Sequence, residues 1–168
     1  METFDGQLVI HVKVFKSMDE LVHLNMNRIC DRLRYALLEK GISCQRAAQE
    51  MGVSRDLVFD YSSSDYPEDS MQTQTLIKFA EYLGKDRHYF CNGYHKFLDT
   101  TETGNFLRKL RAEHKMTQKQ FAHFLGITLA SYKKYEEERC RMSFEVFEKL
   151  MDIIKDEEDR AVQNNPVL

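Results

Sequence analysis

The stretch "MTQKQFAHFLGITLASYKKYE" covers Met116–Glu136 and contains two short amphipathic segments on either side of Gly126. Apolar residues recur at helical spacing in both segments, which predicts two helices. Gly126 permits a sharp turn between them because glycine adopts a positive φ without steric cost. Thr128 follows at a position where its hydroxyl can cap the next helix. The stretch therefore predicts a compact helix-turn-helix and raises the question of whether its second helix reads DNA.

The composition indicates a soluble and mainly helical protein. Of 168 residues, 42% are hydrophobic and 30% are charged, which is typical of a globular chain with a substantial core. Only two prolines and seven glycines interrupt the helix-forming residues, so we expect an all-α fold. The net charge of −3 excludes general basicity as a basis for nucleic-acid binding. Any such binding must depend on a local patch.

Compartment and cofactor chemistry follow from what the sequence lacks. No segment approaches the roughly 18 apolar residues of a membrane span, and the start "METFDGQLVIHVKVF" does not resemble a secretory signal. We therefore expect a cytoplasmic protein. The four cysteines form no C-x-x-C pair, which favours reduced thiols over disulfides or a zinc site; they are Cys30, Cys44, Cys91 and Cys140. We predict no metal, no other cofactor and no enzymatic activity.

The chain contains two copies of one pattern, separated by 74 residues. Six identities fall on this offset: Leu33, Arg34, Glu39, Ala48, Gly52 and Tyr61 correspond to Leu107, Arg108, Glu113, Ala122, Gly126 and Tyr135. The offset then shortens to 71, where Met71 corresponds to Met142, so the first copy has a loop three residues longer. A repeat of this kind predicts two related helical units.

The second copy contains four short motifs in order: L-R-x-x-R at Leu107–Arg111, T-Q-x-x-x-A at Thr117–Ala122, G-I-T at Gly126–Thr128, and an aromatic–Glu pair at Tyr135–Glu136. On these motifs, residues 107–154 resemble the lambda-repressor-like helix-turn-helix family, the Cro-type or XRE-type transcriptional regulators. Residues 33–90 resemble it more weakly, because Cys44 and Ser62 replace its usual Gln and Glu. The resemblance implies sequence-specific binding of double-stranded DNA and transcriptional regulation, by repression in a bacterium or phage.

The expected architecture is all-α, with two tandem lambda-repressor-like helix-turn-helix domains after a short N-terminal β-strand or arm. We expect the arm at 1–16, the divergent first domain at 17–98, a linker at 99–105, the second domain at 106–155, and an acidic, then polar tail at 156–168. The arm is predicted from the β-branched run "LVIHVKVF". A helical pattern follows from Ser17 to Gly41, as one helix or two. An unpaired apolar strand invites an edge partner, so we consider a homodimer through this strand.

The resemblance also implies which residues contact DNA, because the third helix of such domains lies in the major groove. The candidates for base contact in the second copy are Thr128, Leu129, Ala130, Ser131, Lys133 and Lys134. The candidates for phosphate contact are Gln118, Lys119, Arg139 and Arg141. In the first copy the corresponding candidates are Gln45, Arg46, Ser54 and Arg55.

The distribution of charge favours the second copy as the DNA-binding one. Residues 104–155 contain eleven Lys or Arg and seven Asp or Glu, whereas residues 28–98 contain ten of each. In the first copy Asp56 and Asp60 would repel phosphates, and Phe59 suits a protein interface equally well.

Two other interpretations stay open. The first is a non-catalytic protein-interaction scaffold, in which the helix-turn-helix binds a partner such as a toxin or a polymerase subunit; the acidic tail agrees with it. The second is an enzyme or metal sensor, because His88, Cys91 and His95 have the i, i+3, i+7 spacing of one helical face and could bind a metal there. The lack of an evident fourth ligand favours packing and surface roles for these three residues.

Overall fold

The computed structural model describes residues 24–164, without the side chains of Glu158 and of 161–164. This range contains nine α-helices, one 3₁₀ turn and no strand. The prediction of an all-helical chain is therefore confirmed for the part that the structure describes. The predicted strand or arm at 1–16 lies outside that part. The helices belong to two compact units, which divide between Lys96 and Phe97.

The hydrophobic core of the first unit lies between its first four helices. The elements are α1 Ile29–Glu39, α2 Cys44–Met51, α3 Arg55–Tyr61, a 3₁₀ turn at Glu68–Ser70, α4 Thr73–Leu83 and α5 Gly93–Thr100, of which α5 crosses the boundary between the units. Leu33, Val58 and Phe79 are fully buried in this core. Each comes from a different helix, so burial of these side chains fixes how the short helices pack.

The second unit contains α6 Thr103–Glu113, α7 Gln118–Phe124, α8 Leu129–Glu136 and α9 Phe144–Asn164. Leu107, Phe121, Tyr132 and Leu150 are fully buried, one from each helix. The Tyr132 ring packs edge-on against Phe121, with ring centroids 5.6 Å apart. α8 contacts both α6 and α7, so its inner side is fixed by two neighbours.

The helix starts repeat along the chain with the spacing found in the sequence. α6, α7 and α8 begin 74 residues after α1, α2 and α3, and α9 begins 71 residues after α4. The N-caps also correspond: Ser43 and Ser54 in the first unit, and Thr117 and Thr128 in the second, accept a backbone N–H with their hydroxyls. Both units therefore begin their second and third helices with the same local chemistry.

Two positions after the first helix of each unit ends, a residue has positive φ, but the two residues differ. Gly41 has φ 67°, whereas Lys115, at the corresponding position, has φ 53°. In both turns a backbone N–H returns to the last turn of the helix, as from Met116 to the Arg111 carbonyl at 3.1 Å. Glycine adopts this conformation without cost, while a residue with a Cβ adopts it with strain.

The helical pattern predicted from Ser17 does not form a helix over 24–28. The chain turns there, and α1 begins at Ile29. The Ile29 N–H donates to the Glu68 carboxylate at 2.6 Å. A side chain distant in sequence therefore satisfies this helix start, which local periodicity does not reveal. The part of the pattern before residue 24 lies outside the described range.

The predicted linker at 99–105 is mostly helical. α5 ends at Thr100 and α6 begins at Thr103, so only two residues separate the helices. The Asn105 amide donates to the Glu102 carboxylate across the first turn of α6. Polar residues here serve a helix start and need not form an extended segment.

The predicted tail at 156–168 is helical through Asn164, as the end of α9. The Glu157 carboxylate lies 2.9 Å from His114 Nε2, at the end of α6. The sequence from 156 to 164 contains neither glycine nor proline and is rich in helix-forming residues. A polar composition therefore marks an exposed helix here and not a coil.

Candidate nucleic-acid interface

The turn between α7 and α8 is fixed by hydrogen bonds on both sides. Thr117 and Gln120 form a capping box, in which each side chain accepts the backbone N–H of the other residue. Gly126 follows α7 with φ 69° and turns the chain. Thr128 Oγ1 then accepts the Ser131 N–H at 3.1 Å and caps α8. α8 therefore starts at a defined position relative to α7.

A buried carboxylate joins α8 to both preceding helices. Glu136 is only 4% exposed, and its oxygens accept from Arg111 Nε at 3.0 Å and Gln118 Nε2 at 2.6 Å. The Tyr132 hydroxyl donates a third bond at 2.6 Å. Burial opposes the negative charge, but these hydrogen bonds outweigh it and lower the pKa of Glu136. Burial and the bond to Glu136 raise the pKa of Tyr132.

The first unit has no such network at the corresponding positions. Those positions, 74 residues earlier, are Leu37, Cys44, Val58 and Ser62, all buried. The Ser62 hydroxyl donates to the Val58 carbonyl of its own helix at 2.7 Å. Burial raises the pKa of the Cys44 thiol, which favours its neutral form. At these four positions the first unit therefore has no buried charge and no ion pair like that of Arg111 with Glu136.

The outward side of α8 carries two exposed lysines. Lys133 and Lys134 are exposed, and neither forms an ion pair with another residue of the described range. Ala130 is exposed as well, whereas Leu129 is half-buried. The exposed Thr128 and the half-buried Ser131 have their hydroxyls 3.0 Å apart. The structure places all six predicted base-contacting residues at the cap and in the first two turns of α8.

The four predicted phosphate contacts differ in what surrounds them. Lys119 is exposed, and Gln118 is half-buried with its amide bonded to the Glu136 carboxylate. Arg139 is exposed, but its Nε lies 2.8 Å from a Glu137 oxygen. Arg141 is exposed in the loop after α8. Gln118 therefore positions α8 in this structure, and the exposed cations surround that helix.

The candidates in the first unit are largely engaged with neighbours. Arg46 Nε lies 2.6 Å from a Glu50 oxygen, and the Arg55 guanidinium stacks over the Phe59 ring at 4.8 Å. Ser54 caps α3 by accepting the Leu57 N–H. The other outward side chains here are those of Gln45, Asp56 and Asp60. This surface combines an exposed aromatic ring with two cationic and three acidic side chains.

His88, Cys91 and His95 do not share a helical face, contrary to the prediction from their spacing. His88 lies in the turn before α5, whereas His95 lies within α5 and is fully buried. The ring nitrogens of His95 lie 2.7 Å from Asn92 Oδ1 and 3.1 Å from the Met71 carbonyl oxygen. The described residues include no group of three His, Cys, Asp or Glu placed to hold a metal. The spacing predicted one helical face, but residues 85–92, before α5, are not helical.

Two residues of α6 hold the end of α8: Gly104, which lies in no motif, and Arg108, the first arginine of the L-R-x-x-R motif, whose role the motif does not reveal. The Gly104 N–H donates to the Glu138 carboxylate at 3.0 Å, and Arg108 donates to the Glu136 carbonyl at 2.9 Å. A Cβ at position 104 would overlap that carbonyl oxygen and lie 3.1 Å from its carbon. The available sequence signal is a glycine in the first turn of a helix, which helix propensity disfavours.

The second unit is similar to a known protein family. Residues 107–155 match the family model described as a helix-turn-helix. No curated protein and no solved structure matches the chain. The matching family is a DNA-binding regulatory one, typically without enzymatic activity. In the range that the structure describes, no helix is long and apolar enough to cross a membrane. The match supports an XRE-type helix-turn-helix at 107–155 and suggests DNA binding and transcription regulation.

Proposed function

We propose that this protein binds double-stranded DNA sequence-specifically and represses transcription, with α8 in the major groove. The observation that carries this proposal is a pair of exposed lysines, Lys133 and Lys134, that form no ion pair within residues 24–164. They lie on a helix whose inner side is held by the buried Glu136. Reading base edges requires side chains presented from a rigid element. The family match over 107–155 supports the same function.

Base contacts are assigned to the cap and first two turns of α8. Lys133 and Lys134 bond the acceptors of guanine, and the hydroxyls of Thr128 and Ser131 bond base edges of either kind. Ala130, or Leu129 at its side, meets a thymine methyl group. This mixture of donors and small apolar groups supports direct readout of sequence.

Phosphate contacts are assigned to the residues around α8. Lys119 at the start of α7 and Arg141 after α8 are exposed cations. Arg139 is exposed as well and binds a phosphate in place of the Glu137 carboxylate. Gln118 contributes through its second amide hydrogen while holding Glu136. The excess of Lys and Arg over acids at 104–155 supports affinity that decreases as salt increases.

We infer that the two units are tandem copies of one helix-turn-helix design, with the first at 17–98 and the second at 106–155. The shared helix starts and cap positions support this relation. The first copy contributes less to DNA affinity, through Gln45, Ser54 and Arg55, because Arg46 is paired with Glu50.

We also propose a cytoplasmic homodimer, for a regulator of a bacterium or phage, joined through the strand or arm predicted from the sequence of 1–16. Two copies would present their reading helices to half-sites about one turn of DNA apart. Sedimentation of the full chain at micromolar concentration tests this assembly. A monomer at this concentration would contradict the homodimer. It would not bear on whether α8 binds DNA, which is tested separately.

The location of the DNA surface is tested by titrating the ¹⁵N-labelled full chain with a short random duplex at low salt. We expect the largest backbone shifts at 128–134 and at Lys119, with smaller shifts at 54–60. The variant Lys133→Ala, Lys134→Ala weakens this binding. A matched variant, Lys78→Ala, Lys155→Ala, removes the same charge from exposed sites elsewhere and retains it. Equal weakening by both variants would contradict the assignment to α8.

A second candidate function is a protein-interaction scaffold. The observation that favours it is Phe59, which is 44% exposed on α3 beside Asp56 and Asp60. An exposed aromatic side chain with acidic neighbours suits a protein partner better than a phosphate backbone. In the same titration, no shift anywhere on α8 at low salt would favour this alternative.

A further inference from the structure

The outward face of α3 has an exposed aromatic ring beside two exposed carboxylates. Asp56, Phe59 and Asp60 have the i, i+3, i+4 spacing of one helical face, and all three are exposed. Neither carboxylate forms an ion pair with another residue of 24–164. The Arg55 guanidinium stacks over the Phe59 ring at 4.8 Å and supplies one positive charge at the edge of this face. The two carboxylates outnumber it, so the face favours a cationic surface.

The corresponding face of α8 has the opposite charge. At the offset of 74 residues, the positions of Phe59 and Asp60 are occupied by Lys133 and Lys134. Both lysines are exposed, and neither forms an ion pair within the described range. Ala130, which completes the same i, i+3, i+4 pattern, is exposed as well and presents only a methyl group. The two faces are therefore complementary in charge, with an aromatic ring on one and a small apolar side chain on the other.

We propose that the α3 face of one copy of this chain binds the α8 face of a second copy. The carboxylates pair with the lysine ammonium groups, and the Phe59 ring packs against the Ala130 methyl group and the lysine methylenes. The faces are unlike, so the contact closes as a pair of two equal contacts or continues along a chain of copies. Each face is one side of a short helix, so the buried area is small and the association is weak and strongest at low salt.

A second copy on α8 would cover the lysines to which the proposed function assigns base contacts. Binding of the second copy and binding of DNA would then exclude each other, which makes DNA affinity depend on protein concentration. This consequence rests on the proposed function, whereas the contact between copies does not.

The contact is tested with the ¹⁵N-labelled full chain, without DNA, as its concentration increases at low salt. We expect backbone shifts at 55–60 and at 129–134 that grow together and decrease when sodium chloride is added. These two segments report on this contact separately from a dimer through the arm predicted at 1–16. No concentration-dependent shift at either segment, or shifts at other segments only, would overturn the proposal.

Charge reversal identifies the partner face. The reversed-α3 chain, Asp56→Lys, Asp60→Lys, and the reversed-α8 chain, Lys133→Glu, Lys134→Glu, each place like charges opposite each other. All four side chains are exposed, so the changes leave the core intact. We expect each chain alone to associate roughly tenfold or more weakly than the wild type. When the unlabelled reversed-α3 chain is added to the labelled reversed-α8 chain, opposite charges meet again and the shifts at 129–134 return.

The matched control is Glu148→Lys, Asp152→Lys, which reverses two exposed carboxylates at the same i, i+4 spacing on α9 and gives the same net charge as the reversed-α3 chain. We expect this control to cause no shift at 129–134 of the labelled reversed-α8 chain, because its α3 face is still acidic. Equal shifts with the control and with the reversed-α3 chain would overturn the proposal, since net charge alone would then explain the association. None of these outcomes depends on whether α8 binds DNA.

Discussion

Arg111 of α6 and Glu136 of α8 form a bond of 3.0 Å that is closed to solvent on the carboxylate side. The bond ties the last turn of the proposed reading helix to the first helix of its unit. Gln118 ties the same carboxylate to α7. One acidic side chain therefore links α8 to both preceding helices. The first unit lacks that side chain and has Ser62 in its place.

We expect Arg111→Leu to destabilise the second unit by about 2–4 kcal/mol, because it leaves a buried carboxylate without its cation. Combining it with Glu136→Ser restores part of the loss, since Leu37 and Ser62 occupy these positions in the first unit. Urea unfolding of the two single variants and the double variant measures the coupling. If the double variant loses as much free energy of unfolding as the two single variants together, Arg111 and Glu136 are not coupled.

The same carboxylate should make stability depend on pH. Folding lowers the pKa of Glu136 below its ordinary value, so its contribution is present above that ordinary value. The contribution is lost as the pH falls through the folded pKa. From about pH 5 downward, the free energy of unfolding should decrease more steeply for the wild type than for Glu136→Gln. Glu148→Gln, an exposed change on α9, serves as the control and should follow the wild type.

Gly104→Ala should destabilise the second unit by about 1–3 kcal/mol, because the added methyl overlaps the Glu136 carbonyl. The matched change is Gly93→Ala at the start of α5, where a Cβ meets nothing within 4 Å and the φ is not positive. Thermal unfolding of both variants measures the difference. Equal melting temperatures would mean that α6 and α8 do not approach at Gly104 as described.

Lys115→Gly should stabilise the second unit by about 0.5–1 kcal/mol, because Lys115 has φ 53° and glycine adopts this value without strain. The reverse change in the first unit, Gly41→Ala, should destabilise by about 1 kcal/mol for the same reason. Denaturant midpoints of the two variants provide the measurement. If Lys115→Gly lowers the stability instead, the conformational entropy that glycine adds to the unfolded chain outweighs the relief of strain in the folded chain.

The helix order was predictable because caps and glycine turns are local. Ser54, Gly126 and Thr128 act on residues within a few positions of themselves, and the structure places them at the expected helix boundaries. The offset of 74 residues also predicted where the corresponding helices begin. These features need no knowledge of distant contacts.

Features that depend on distant contacts could not be predicted in this way. Ile29 starts α1 because Glu68, far along the chain, accepts its N–H. Gln118 belongs to a sequence motif, but only the folded unit shows that its amide bonds Glu136. Polar composition alone did not indicate that α9 continues through 156–164, because an exposed helix and a coil have similar composition.

The most direct test of the central claim is selection from a randomised duplex pool, with sequencing of the bound fraction, at several salt concentrations. The wild type is compared with Lys133→Ala, Lys134→Ala and with the control Lys78→Ala, Lys155→Ala. We predict that the wild type and the control enrich the same motif and that the α8 variant loses it. No enriched motif for the wild type even at low salt, or one unchanged in the α8 variant, would contradict the account.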